Sequence, residues 1–110
     1  MPLDPLEYHV LLALAAGPRH GYAIKDAVAA ESAGAIAPRA GSLYRVVARL
    51  LTARLVAEVE PGADAPSHPG VPRRYYALTA AGRRALGAEA ARLRAAAAMA
   101  EKRLGLARGR

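Results

Sequence analysis

The chain has 110 residues and no cysteine, so it suits one compact domain and excludes disulfides, cysteine-based zinc sites and thiol chemistry. Its net charge of +7 indicates an acidic partner, either nucleic acid or a membrane surface. No apolar run is long enough to cross a bilayer and the first residues lack a signal-peptide pattern, so we expect no membrane partner and a cytoplasmic protein.

The first predicted helix covers residues 5–16. Asp4 can accept hydrogen bonds from the free amides of the first turn, and Glu7 stands where it completes a capping box. Apolar residues then recur at helical spacing until the stretch "AGPRHG" breaks the helix with a glycine and a proline.

The second predicted helix covers residues 21–32. His20 precedes it, where a capping or packing role is favoured over catalysis, and Gly34 suits its end. Pro38 disfavours helix in the connector that follows. The side chains that we expect to face inward are Tyr22, Ile24 and Val28.

The third predicted helix, over residues 41–54, carries two distinct faces. At about 100° per residue, four apolar side chains cover one arc and a narrow polar stripe lies beside it. Such a helix fits a DNA major groove, where arginine can donate to guanine edges or phosphates. The apolar arc comprises Leu43, Val46, Val47 and Leu50, and the polar stripe comprises Ser42, Arg45, Arg49 and Thr52.

The charges are arranged in blocks along the chain. Residues 32–57 hold four arginines and no acid, residues 58–64 hold three acids, and residues 65–88 again hold four arginines and no acid. A helix face that is only solvated normally mixes both signs of charge. We therefore predict that these arginines lack counter-ions of their own and meet a polyanion, the alternative being an ordinary solvated face.

A β-hairpin is predicted after the third helix. The stretch "LVAEVE" alternates as a strand does, "RRYYAL" is the returning strand, and the proline-rich segment between them is a long loop. Arg73 and Arg74 lie at the mouth of the hairpin, where they either contact DNA phosphates or protect an edge strand from aggregation. Of the two tyrosines that follow, we expect one, Tyr75 or Tyr76, to be buried and the other to be partly exposed.

The last predicted helix covers residues 80–104 and begins after Thr79 as its cap. Its inward positions repeat every four and three residues, which is a heptad seam. This seam either pairs with a second copy of the chain, giving a twofold dimer, or folds back on the first helix, or does both. The seam consists of Leu86, Ala90, Leu93, Ala97, Ala100 and Leu104.

The order of elements predicts a mainly α fold of the winged helix-turn-helix type, with three helices, a two-stranded wing and a C-terminal dimerisation helix. Residues 1–78 would form the DNA-binding domain and residues 79–110 the dimerisation helix with its tail. The sequence leaves two other classes of protein open. One is a winged-helix module that binds a protein and no DNA. The other is an enzyme, which is disfavoured because His9, His20 and His68 fall in separate elements and no catalytic or metal-binding motif is present.

Three stretches of the sequence resemble the PadR family of bacterial transcriptional regulators, in its short form with a single C-terminal helix. They are "LLALAAGPRHGYAIK" (11–25), "GSLYRVVARL" (41–50) and "PRRYYALTAAGRRAL" (72–86). As a set, the Gly-Pro-x-His-Gly-Tyr turn, the Ser-Leu-Tyr helix start and the Arg-Tyr-Tyr-x-Leu-Thr-x-x-Gly junction are fairly specific.

The resemblance implies a dimeric winged-helix repressor without a cofactor, released by a small hydrophobic or aromatic effector that binds near the dimer interface. It implies that the helix holding Ser42 and Tyr44 enters double-stranded DNA and that the wing contacts the backbone. Together with the polar stripe of the third predicted helix, the resemblance predicts which residues contact bases and which contact phosphates. Base contacts are expected from Ser42, Arg45 and Arg49, and phosphate contacts from Arg39, Tyr44, Arg73 and Arg74.

The sequence departs from the family pattern at several positions. Arg45 stands where the family usually has proline, Leu51 where it has glutamate and Arg54 where it has glycine. Glycine suits a left-handed helix end, so Arg54 predicts either strain of about 1 kcal/mol or a different cap. The C-terminal helix has no aromatic residue, which leaves the effector open.

Overall fold

A computed structural model describes residues 2–62 and 74–106 of the chain. The described residues form four helices and one small antiparallel sheet, which confirms the mainly α winged-helix fold. In chain order the elements are α1 (Pro5–Ala15), β1 (Arg19–His20), α2 (Gly21–Glu31), α3 (Ala40–Thr52), β2 (Val56–Val59), β3 (Tyr75–Leu78) and α4 (Ala80–Arg103).

The helix starts follow the predicted caps. Asp4 Oδ1 accepts from the Glu7 amide at 2.8 Å while Glu7 Oε1 accepts from the Asp4 amide at 2.9 Å, which is a complete capping box. His20 caps α2, its Nδ1 accepting from the Ala23 amide at 3.2 Å. The Thr79 hydroxyl caps α4 by accepting from the backbone N–H of a residue in its first turn. Satisfying these free amides fixes where each helix begins.

The core is built between the first three helices and the sheet. The four residues predicted for the inner face of α3 are its buried ones, which confirms that face. Burial of this aliphatic surface supplies the main driving force for folding, because the buried hydrophobic residues are aliphatic apart from Tyr75 and Tyr76. The largest fully buried side chains are Val10, Leu11, Leu14, Ile24, Val28, Leu43, Val47 and Leu50.

Helix α2 corrects one prediction about its inner face. Tyr22 was expected to face inward, yet 57% of its surface is exposed. The buried residues of α2 are Gly21, Ile24, Ala27 and Val28, a stripe with spacings of three, three and one. Tyr22 lies about 100° away from Gly21 around the helix and therefore outside that stripe.

The sheet has three strands in the order β1-β3-β2, not the two predicted for the wing. The extra strand, β1, pairs Arg19 with Tyr76 and His20 with Tyr75. Tyr75 and Tyr76 are both buried, so the expectation that one would be partly exposed is wrong. The reason is β1 itself, because the His20 ring packs edge-on against Tyr75 with centroids 5.5 Å apart.

The junction between α3, the wing and α4 is tightly built. Arg54 follows α3 with φ +62, and the Leu55 amide reaches back to the Leu50 carbonyl at 3.0 Å, which is a Schellman ending with arginine in the left-handed position. The Thr79 hydroxyl donates to the Arg54 carbonyl at 2.7 Å. At Gly82, an added Cβ would lie 2.0 Å from the Leu55 carbonyl oxygen, so only glycine fits there.

Helix α4 leaves the domain partway along its length. Its first half contacts α1 and β3, with Leu86 packed against the core and Glu89 buried. From residue 91 to residue 106, every residue is exposed. No helix within residues 2–62 and 74–106 combines the length and the apolar composition needed to cross a lipid bilayer.

Candidate nucleic-acid interface

The outer face of α3 begins with Ser42 and Arg45, one turn apart. The Arg45 side chain is exposed, and its Nη2 donates to the Ser42 hydroxyl at 3.3 Å. No carboxylate of residues 2–62 or 74–106 lies within ion-pairing distance of Arg45, as the sequence predicted. The guanidinium therefore keeps most of its donors for a ligand.

Arg49, one turn further along α3, corrects the prediction that the stripe lacks counter-ions. Its Nη2 lies 3.5 Å from Asp4 Oδ2 and its Nε lies 3.6 Å from Glu7 Oε2. The side chain nevertheless remains 54% exposed and lines an open, shallow depression with Ala48, Thr52 and Ala53. Arg49 is thus held by carboxylates of its own chain without being walled off from solvent.

The start of α3 adds a further cation. Arg39 is the N-cap residue, but its side chain makes no capping hydrogen bond and is exposed. The first-turn amides of α3 therefore receive no side-chain cap from Arg39, and such amides favour anions. Arg39 also has no ion pair within the described ranges.

Tyr44 connects α3 to the start of α2. A Cβ added at Gly21 would lie 2.6 Å from the Tyr44 hydroxyl oxygen and 2.8 Å from its ring, so the ring rests directly on the glycine. The phenol is still 46% exposed. Burial, followed by the nearby charge of Glu58, raises the pKa of the Tyr76 hydroxyl, and Tyr44 adds to that rise. Tyr44 thus places an exposed hydroxyl beside the N-terminus of α2.

The wing contributes Arg74 among the residues described. Its Nη1 lies 4.0 Å from Glu58 Oε1, and the side chain is 75% exposed. An ion pair this long and this exposed contributes little to stability. Arg74 precedes β3, the central strand of the described sheet, so it does not protect an edge strand. Arg73, predicted beside it, lies outside the described residues.

The predicted seam on α4 divides into two parts. Leu86 and Ala90 are half-buried where α4 meets the domain, whereas Leu93, Ala97, Ala100 and Leu104 are exposed. Folding back on α1 therefore accounts for the first part only.

Next to the seam, Glu89 is 5% exposed and forms an ion pair with Arg92. The hydrogen bond from Arg92, together with one from the Leu3 backbone, lowers the pKa of Glu89. This contact ties α4 to the residues just before α1.

Sequence reasoning missed Asp4 and Glu7 as neighbours of α3. Their capping pattern is a local signal, whereas their contacts join them to Arg49, which is more than 40 positions away along the chain. Nothing in the sequence indicates that the acidic pair at the start of α1 contacts the basic stripe of α3. Among the described residues, no group of three His, Asp or Glu side chains could hold a metal ion.

Three helices, a short wing and an exposed basic face on the third helix define a winged helix-turn-helix regulator. The model of the PadR-like family of transcriptional regulators matches residues 10–88, and the chain belongs to this family. It is a family of transcriptional regulators and not of enzymes. No curated protein matches the sequence significantly.

Solved structures with the same fold include several members of the family. A PadR family transcription regulator from Clostridium difficile is 18% identical with a TM-score of 0.73, over 90% of this chain and 97% of that one. One from Eggerthella lenta is 28% identical with a TM-score of 0.64, over 86% and 80%. PadR from Bacillus subtilis, solved in complex with operator DNA, is 20% identical with a TM-score of 0.61, over 74% of this chain but 44% of that one.

Proposed function

We propose that the protein is a homodimeric, sequence-specific DNA-binding repressor that places α3 in the major groove. The observation that carries the proposal is the exposed start of α3, where Arg39 and Arg45 have no carboxylate partner among the described residues. A polyanion supplies the missing counter-charge, and double-stranded DNA is the polyanion that a single helix fits. The Bacillus subtilis relative, solved with operator DNA, supports the same assignment.

The proposed contacts fall into two groups. Ser42, Arg45 and Arg49 read base edges, because they lie on one stripe of α3. The other group contacts phosphates and sets the position of the protein on the duplex. This second group consists of Arg39, Tyr44, Arg73 and Arg74.

The proposed dimer uses the exposed end of α4. Leu93 is 39% exposed and Leu104 is 70% exposed, and both lie on the seam with Ala97 and Ala100 between them. Burying such a stripe against a second copy removes apolar surface from water and gives two α3 helices on one side of the DNA. In this arrangement residues 1–78 bind DNA, residues 79–110 hold the dimer, and a small hydrophobic effector acts near the interface. The protein would act in the cytoplasm.

Selection from randomised duplexes, followed by binding measurements over a salt series, tests the proposal. Arg45→Ala is expected to reduce the preference for the selected site over scrambled DNA about tenfold, because one base-reading fork is lost. Arg74→Ala is expected to weaken both duplexes alike and to reduce the salt slope by about one. Arg94→Ala, which removes an exposed arginine of α4, is the control and should match the wild type.

Two results would overturn the proposal. If the wild-type protein enriches no sequence and shifts no duplex even at low salt, the rival assignment of a protein-binding module gains ground. If Arg45→Ala and Arg74→Ala both bind like the wild type, the proposed division between base and phosphate contacts is wrong.

A further inference from the structure

The capping box of α1 has a second contact that helix capping does not need. Asp4 and Glu7 each use one carboxylate oxygen to cap the helix, Oδ1 and Oε1 respectively. The other oxygen of each residue faces the guanidinium of Arg49, at 3.5 Å from Asp4 and 3.6 Å from Glu7. A single arginine of α3 thus forms ion pairs with both acidic residues of the capping box.

The geometry of these two ion pairs leaves Nη1 of the Arg49 guanidinium available for another contact. The carboxylates approach Nε and Nη2, which form one edge of the planar guanidinium. Nη1, with two N–H groups, makes no ion pair within residues 2–62 and 74–106, and more than half of the side chain is exposed. Arginine carries five donors in a fixed fork, so fixing one edge also fixes the direction of the remaining donors.

The charges of the cluster favour one kind of acceptor. Two carboxylates beside one guanidinium leave a formal charge of −1, so an approaching phosphate is repelled. A guanine edge presents neutral acceptors, O6 and N7, and meets no such repulsion. Arg45, whose neighbour is the Ser42 hydroxyl and not a carboxylate, has no such bias.

We propose that Asp4 and Glu7 are positioning residues that set the sequence specificity of the protein, by aiming Arg49 at a base edge and withholding it from phosphates. The inference rests on the proposed DNA-binding function and adds two residues outside the recognition helix to it. Stabilisation of the fold is a weak alternative explanation, because long, exposed ion pairs contribute little and the capping bonds use the other two oxygens.

The test removes the negative charges of Asp4 and Glu7 but keeps their capping hydrogen bonds. Asparagine caps a helix as well as aspartate does, and glutamine serves in a capping box, so the double variant Asp4→Asn/Glu7→Gln leaves α1 capped. We expect the ratio of affinities for the selected and scrambled duplexes to fall about tenfold. We also expect scrambled DNA to bind more tightly, with a salt slope steeper by about one, because the freed Arg49 now pairs with phosphate.

A matched control separates specificity from net charge. Asp26→Asn/Glu101→Gln makes the same two chemical changes at exposed positions of α2 and α4 and changes the net charge equally. This control variant should bind both the selected and the scrambled duplex slightly more tightly than the wild type, with an unchanged ratio of the two affinities. Equal ratios for the wild type, the control and Asp4→Asn/Glu7→Gln would overturn the inference.

A second variant keeps the test decisive if the double variant is unstable. Arg49→Lys keeps the positive charge but replaces the fork by a single ammonium group. It should lose the preference for the selected site while binding scrambled DNA like the wild type, whereas an unchanged preference would contradict the inference. If wild type fails to bind DNA, the proposed function and this inference fall together. If Arg45→Ala relaxes specificity while Asp4→Asn/Glu7→Gln does not, only the inference falls.

Discussion

At the scale of single residues, Arg54 shows how a side chain can occupy a backbone position that suits glycine. Its φ of +62 is in the left-handed region, which costs a non-glycine residue about 1 kcal/mol. The sequence predicted either this strain or a different cap, and the structure shows the strain. The hydrogen bonds of the Schellman ending and the Thr79 hydroxyl on the Arg54 carbonyl hold the conformation in place.

Replacing Arg54 by glycine should therefore stabilise the protein. The left-handed conformation carries no penalty for glycine, so we expect Arg54→Gly to raise the free energy of unfolding by about 0.5–1 kcal/mol, measured by urea denaturation. Ala53→Gly is the control, because Ala53 has an ordinary φ of −77 and glycine there only adds flexibility to the unfolded chain. If the Arg54→Gly variant were less stable than the wild type, this explanation would be contradicted.

At the scale of elements, the contact between α4 and the turn after α3 sets the position of the wing relative to the helices. The Leu55 carbonyl accepts from the Thr79 amide at 3.1 Å and lies against the backbone of Gly82. This close approach explains why the Leu-Thr-x-x-Gly stretch ends in glycine. The last strand and the last helix are thereby tied to the end of α3.

A single methyl group at Gly82 should disrupt this junction. The Cβ of Gly82→Ala would overlap a backbone oxygen that cannot rotate away, so we expect a loss of at least about 2 kcal/mol in the free energy of unfolding. Gly87→Ala is the matched control in the same helix. Nothing lies within 4 Å of its added Cβ, so higher helix propensity should stabilise it by up to about 1 kcal/mol. Equal thermal midpoints for the two variants would refute the tight junction.

The elements that the sequence predicted well are those marked by local chemistry. Caps at Asp4 and Thr79 and the apolar arc of α3 each depend on neighbours within one or two turns. Strand β1 has two residues, too short for a periodic pattern, and it forms only because β3 offers a partner. The contact of Arg49 with Asp4 likewise depends on how α1 packs against α3. The local pattern therefore predicted the buried and exposed faces of α3, but not the residues of α1 that pack beside them.

At the scale of the whole molecule, the chain is elongated because α4 extends beyond the domain. The principal extents are 56, 26 and 26 Å. The seam residues beyond residue 90 all stay exposed within the described chain, and a lone helix of this length is marginal in water. A second copy would provide the packing surface that one chain lacks, which is why the proposed dimer uses this end of α4.

Two alanines of α4 allow the proposed dimer to be tested with the same chemical change. Ala97 lies on the seam, and Ala95 lies about 200° away around the helix, with both side chains exposed. Ala97→Asp buries a carboxylate in the dimer, so we expect monomers in analytical ultracentrifugation and weaker DNA binding. Ala95→Asp should remain dimeric. Dimers of both variants, or monomers of both, would show that this seam does not hold the dimer.

The contact between Gly21 and Tyr44 also bears on how the sequence can drift during evolution. The atoms that a new Cβ at position 21 would strike belong to the outer end of a ring that can rotate away. An alanine there would leave the fold intact and swing the phenol off the start of α2. Positions 21 and 44, 23 residues apart, should therefore covary among related chains, with a larger residue at the first accompanied by a smaller one at the second.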